Sequence, residues 1–162
     1  MKRSILTILG AAGLLTAGCS STPPVTLAPV GPNPIGFAAA SGDGQLQVFS
    51  AQSGRDEGEN PTWYRHTDYD IYNQDGKRLE HVHNGVGYYS QAPRVVTLPA
   101  GEYIVMARAC DIMQVRVPVV IKPSETTSIH LDGKWRPLMN TPGAQVVTAP
   151  SGYPVGWSAG AQ

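Results

Sequence analysis

The stretch from Arg94 to Arg108 (RVVTLPAGEYIVMAR) restricts the fold of this chain more than any other. Val96 and Leu98 lead into Pro99-Ala100-Gly101, and Tyr103, Val105 and Ala107 lead away from it, so apolar side chains recur at every second position on both sides. That period belongs to strands with one buried face, because successive side chains of a strand point to opposite sides of a sheet. Proline presets φ for the first central position of a turn, and the glycine that follows two places later can close a type I turn with a bulge. The stretch therefore reads as a hairpin of two antiparallel strands. Its alternation predicts Tyr103 and Val105 inside and Ile104 and Arg108 outside.

The neighbouring segments carry the same period. Leu46 and Val48 form one face of a short strand, Tyr69 to Tyr72 (YDIY) forms another, and Val115, Val117, Val119 and Ile121 alternate with Arg116 outward. Pro118 falls on the face away from these valines and has no N–H for a ladder, which suits an edge or a bulge. Thr126 to Leu131 closes the set. Asp75-Gly76 signals a hairpin, and two registers compete for it. A two-residue loop sets Asp70 opposite His81, whereas a three-residue loop with Gly76 in a bulge sets Ile71 opposite Leu79 and Asp70 opposite Glu80. The second is preferred because it pairs two aliphatic side chains. Leu79 and Val82 are three apart, so a further irregularity near His81 is expected.

With 18 Gly and 14 Pro against only 7% aromatic residues, turns are frequent and no helical period is sustained. The pattern points to an all-β fold, a seven-stranded antiparallel β-sandwich over residues 44–135. Residues 19–43, rich in Pro and Ser, read as a tether. Residues 136–162, rich in Gly and Pro, read as a tail, either loosely docked or disordered, that carries Trp157, and the flanks are expected to be poorly ordered. The chain has 12 basic and 12 acidic side chains, which offers no electrostatic footprint for nucleic acid.

Residues 1–18 carry a different signal. Lys2 and Arg3 precede an apolar run from Ile5 to Leu15, and small residues Ala17-Gly18 follow before Cys19. This is the layout of an export signal, and the run is shorter than the ~20 apolar residues a spanning helix needs. Leu15-Thr16-Ala17-Gly18-Cys19 resembles a bacterial lipoprotein lipobox, which implies cleavage before Cys19 and acylation of that residue. Ser20 after the cysteine resembles the outer-membrane lipoproteins of enterobacteria. The expectation is thus a protein of the bacterial cell envelope, held on the outer membrane by a lipid anchor. Cys110, left without a partner, reads as a small buried hydrophobe.

The pattern VVTLPAGEYIVMA followed by VPVVIKPSETTSIHLDG is similar to the transthyretin-like, carboxypeptidase-regulatory type of β-sandwich, a prealbumin- or immunoglobulin-like fold. Ser124-Glu125 stand where that family commonly has glycine. The resemblance implies a fold and no catalytic residue, because such modules serve as spacers, accessory domains and contacts to protein or carbohydrate.

The side chains themselves suggest three functions. No nucleophile, metalloprotease, phosphate-loop or dinucleotide motif occurs, so catalysis is not expected and no cofactor is assigned. Trp63, Tyr64, Tyr88 and Tyr89, placed in loops, can stack on a glycan or anchor an envelope protein, or can equally plug the end of a small core. His81 and His83 lie on one strand face, where a carboxylate from Asp68 or Asp70 across the hairpin can complete a zinc or copper chelate. The plainer reading, two exposed strand histidines, is the one adopted, and no metal is assigned. The leading expectation is a non-catalytic, lipid-anchored module with a structural or protein-interaction role.

Overall fold

Valine at alternate positions of residues 115–121 builds the strand on which the larger sheet is laid: Val115, Val117, Val119 and Ile121 are buried, while Arg116 is exposed. The computed structural model of the chain describes residues 23–32, 42–55, 63–85, 92–111, 114–137 and 145–160. Those residues contain thirteen strands and no helix. In chain order they are β1 (Val25–Thr26), β2 (Val30–Gly31), β3 (Asp43–Phe49), β4 (Gln52–Arg55), β5 (Trp63–His66), β6 (Tyr69–Tyr72) and β7 (Arg78–Val82), then β8 (Val95–Pro99), β9 (Gly101–Ala107), β10 (Val115–Ile121), β11 (Thr126–His130), β12 (Val146–Thr148) and β13 (Pro154–Ser158).

The larger sheet runs β12-β13-β2-β10-β9-β6-β7, with β1 also on β10. The smaller sheet runs β11-β3-β8, and β4 and β5 form a separate ribbon. One core joins the two sheets. Leu46, Val48, Val96, Leu98 and Ile129 from the smaller sheet meet Val30, Ile71, Val105, Val117, Val119 and Val155 from the larger one. The all-β, sandwich-like expectation holds at this level.

The central hairpin does not form. β8 pairs antiparallel with β3, and β9 pairs with β10 and β6, so Pro99-Ala100-Gly101 carries the chain from one sheet to the other as an arch. The Tyr103 hydroxyl donates to the Pro99 carbonyl at 2.9 Å and closes that arch. Period two requires a buried face on each strand. An arch satisfies it as well as a hairpin does, since the two faces meet across the core instead of lying side by side.

The strand set also differs from seven antiparallel strands. β11 pairs parallel with β3, and β1 and β2 pair parallel with β10, so both sheets are mixed. Residues 25–31, expected in the tether, lie along β10, and the break between β1 and β2 falls opposite Pro118. Residues 146–158, expected in the tail, form the hairpin β12–β13, whose β13 lies beside β2, and bury Val147, Ala149 and Val155. Asp111 clasps this hairpin, its carboxylate accepting from Ser151 Oγ and, at 2.9 Å, from the Tyr153 hydroxyl. Composition missed these segments because β1, β2 and β12 have only two or three residues each, and β13, with five, buries the adjacent Val155 and Gly156 and shows no alternation. Gly156 has a packing reason: a Cβ there would lie 2.6 Å from Val30 Cγ1 and 3.0 Å from the Ser128 carbonyl of the facing sheet.

Two further expectations are corrected. Ile104 is buried, because on the outer face of the sheet it lies between Tyr72 of β6 and Pro118 of β10. Cys110 is exposed, since Ala109 takes the inward position at the end of that segment.

The core makes a direct prediction. Val105→Ala should destabilise the fold by roughly 1–3 kcal/mol in denaturant melts, against about 0.5 kcal/mol or less for Arg108→Ala. Val155→Ala, in the segment that composition read as a tail, should cost as much as Val105→Ala; a loss no larger than that of Arg108→Ala would place β13 outside the core.

Candidate functional site

The most concentrated chemistry lies at the open end of the β6–β7 hairpin, and a bulge puts it there. Gly76 (φ +80°) closes the three-residue loop as expected: its N–H donates to the Asn73 carbonyl at 3.1 Å, and Tyr72 faces Arg78. The ladder then slips. Ile71 faces Glu80 and not Leu79, and Asp70 faces His81, so Leu79 is the extra residue of a bulge and is 49% exposed. The expected irregularity exists, two residues earlier than the sequence suggested. A one-residue slip moves every later side chain to the other face. Past the bulge, His81 and His83 therefore share a face with Asp70 and Asp68, while Val82 and Tyr69 turn into the core.

The side chains are held in a defined order. His81 Nδ1 donates to Asp70 Oδ1 at 2.8 Å, and Arg78 Nη1 stands 3.5 Å from the same oxygen. His83 Nδ1 donates to Asp68 Oδ2 at 2.9 Å, and His81 Nε2 lies 3.7 Å from that oxygen. The two imidazole rings meet edge to face, with centroids 5.0 Å apart. Asp68 Oδ1 accepts the Asn84 backbone N–H at 3.0 Å. Burial acts to raise the Asp68 pKa, but the His83 hydrogen bond, the Asn84 N–H and the charge of the two imidazoles outweigh it and hold the carboxyl below its ordinary value. One donor atom from each of Asp68, His81 and His83 lies within 4.8 Å of the other two.

Behind this cluster is a buried polar hub. Asn84 is fully buried; its Nδ2 donates to the Val48 carbonyl at 2.8 Å and to Ser50 Oγ at 3.0 Å, and its Oδ1 accepts the Arg94 N–H at 3.0 Å. Ser50 Oγ donates to the Thr67 carbonyl, and buried His66 donates through Nδ1 to the Ser50 carbonyl, each at 2.6 Å. Asn84-Gly85 looks like turn chemistry, and nothing local distinguishes an asparagine that turns a chain from one that is buried at the end of a strand.

A second cluster is aromatic. His130 stacks between Phe49 (centroids 4.4 Å apart) and Trp135 (4.7 Å), and Trp157 meets Trp135 edge-on at 5.4 Å. Thr126, Ser128, His130, Trp135 and Trp157 line a groove of about 190 Å³. The partners come from three separate stretches of the chain, so no spacing rule finds them. Burial pushes the His130 pKa down to about 4, with His66 adding to the effect and Asp132 opposing it.

The other candidates are distributed differently. Trp63 and Tyr64 lie in β5, not in a loop, and Tyr64 is 47% exposed. Cys19, Tyr88 and Tyr89 lie outside the described residues. Comparison with known proteins identifies no relative: no family model, no curated protein and no solved structure matches the chain.

Both clusters make predictions. Asn84→Ala leaves buried groups of Val48, Ser50 and Arg94 without their partner, and should cost about 1–3 kcal/mol in thermal or denaturant melts. For His130, the unfolded chain titrates near 6.5 and the folded chain at about 4. Between those values only the unfolded state takes up the proton, so this contribution is complete above pH ~6.5, falls as pH drops toward ~4 and is flat below. Allowing for screening of a partly exposed ring, the loss is of order 1–2 kcal/mol. His130→Phe, which keeps the stack, should remove that component from the stability profile.

Proposed function

We propose that the protein is a lipid-anchored module of the bacterial envelope with a structural or protein-interaction role and no catalysis. The observation that carries this reading is the lipobox-like Leu15-Thr16-Ala17-Gly18-Cys19, which follows a short apolar run and directly precedes a folded all-β unit. From Cys19 to Val25, where β1 begins, is six residues, a reach of at most about 20 Å. An acylated Cys19 would hold the fold close to the membrane surface, because β1 and β2 take up part of the expected tether of residues 19–43. Ser20 favours the outer membrane by resemblance.

The finer fold belongs to the same proposal: a prealbumin-like Greek-key sandwich, widened by β1, β2, β12 and β13. Its support is the arch at Pro99 to Gly101, where the Tyr103 hydroxyl reaches back four residues to a carbonyl as the chain crosses between sheets. Greek-key sandwiches carry a tyrosine corner of this form.

The anchor is tested by partitioning. Wild-type protein should enter the detergent phase and show a mature N-terminus heavier by its acyl chains, and Cys19→Ala should lose both properties. Mature wild-type protein that stays in the aqueous phase would overturn the proposal.

A further inference from the structure

We infer that Asp68, His81 and His83 form a binding site for a divalent transition metal of the zinc class, with Asp70 as the residue that positions His81. The inference stands on the hairpin geometry and is independent of membrane anchoring.

The donor set suits such an ion. Two imidazole nitrogens and one carboxylate oxygen are borderline ligands that favour zinc over magnesium or calcium, which take all-oxygen shells. A tetrahedral zinc bound at about 2.0–2.1 Å needs donors about 3.3 Å apart. Asp68 Oδ2 lies 2.9 Å from His83 Nδ1 and 3.7 Å from His81 Nε2, and no pair of the three donors is further apart than 4.8 Å. Closing on an ion thus takes small rotations of exposed side chains.

The surroundings fix the ligands in the required state. Zinc-bound histidine commonly gives its other ring N–H to a carboxylate, which sets tautomer and ring orientation. His81 already has that arrangement, since Nδ1–H is given to Asp70 and Nε2 is left as the donor beside Asp68. Asp70 is itself oriented by Arg78, and the far oxygen of Asp68 is held by the Asn84 N–H, leaving Oδ2 for the ion. Only His83 must change: its shared proton leaves Nδ1 and is carried on Nε2 instead, so the ring keeps its proton count. With three protein donors on a solvated face, water completes the shell.

The test uses the full chain in detergent micelles, free of any polyhistidine tag, with zinc as the titrant followed by calorimetry. One saturable site in the micromolar range is expected, with a melting temperature several degrees higher at roughly a hundred times the dissociation constant. His83 is 77% exposed, so His83→Ala should fold normally and lose about tenfold or more in affinity. Asp70→Asn should weaken binding by about tenfold while leaving the stoichiometry at one. Cobalt should give the visible absorption of a four-coordinate nitrogen and oxygen site, lost in His81→Ala, a readout that a merely structural role for these residues would not produce. His130→Phe should change nothing. Absence of saturable zinc binding, binding that persists unchanged in both His81→Ala and His83→Ala, or equal competition by magnesium would each overturn the inference.

Discussion

Asn84 ties the two sheets together through polar groups. A buried carboxamide is costly unless its donors and acceptor are matched, and here they are met by Val48, Ser50 and the Arg94 backbone, on segments far apart in the chain. Apolar packing is non-directional and would tolerate small sliding of one sheet over the other. The three hydrogen bonds set their relative position. They also fix the end of β7, and through the Asn84 N–H they fix Asp68. The core and the histidine cluster therefore share one anchor.

The Leu79 bulge is the complementary device. If Leu79 paired with Ile71 instead of bulging out, Asp68 would face Val82, and the histidines would lie on the opposite side of the sheet from the carboxylates. The insertion exposes one leucine and in return places Val82 in the core and two imidazoles beside two acids. Bulges re-aim side chains in this way wherever a ladder must serve both a core and a surface.

What could be read from the sequence follows from these two facts. Alternation located the long strands β3, β9 and β10, because each has one face of apolar side chains at every second position. It could not say which strand pairs with which, so the arch at Pro99 to Gly101 was read as a hairpin. β1, β2 and β12 have too few residues for any period, β13 buries two adjacent residues and does not alternate, and the burial of these strands depends on neighbours far away in sequence. In the histidine cluster the residue types and the i, i+2 spacing were visible, but the juxtaposition depended on a register set by one bulged residue. Aliphatic pairing of Ile71 with Leu79 was the reasonable guess; Val82, with a place at the core, won the competition. Asn84 carried no local signal at all, since a polar residue before glycine has the same sequence signature whether buried or exposed.

The position of β2 has a consequence for how the chain reaches this state. β2 lies between β10 and β13, with Val30 opposite both Val119 and Ser158. β2 thus acquires its second neighbour only from β13, far along the chain. Contacts of such long sequence separation form late and slowly, because the intervening chain must be ordered first. Until residues 154–158 are in place, β2 has only one of its two neighbours in the larger sheet. A chain that stops short of β13 would keep one side of β2 unpaired, a ready edge for pairing with another copy.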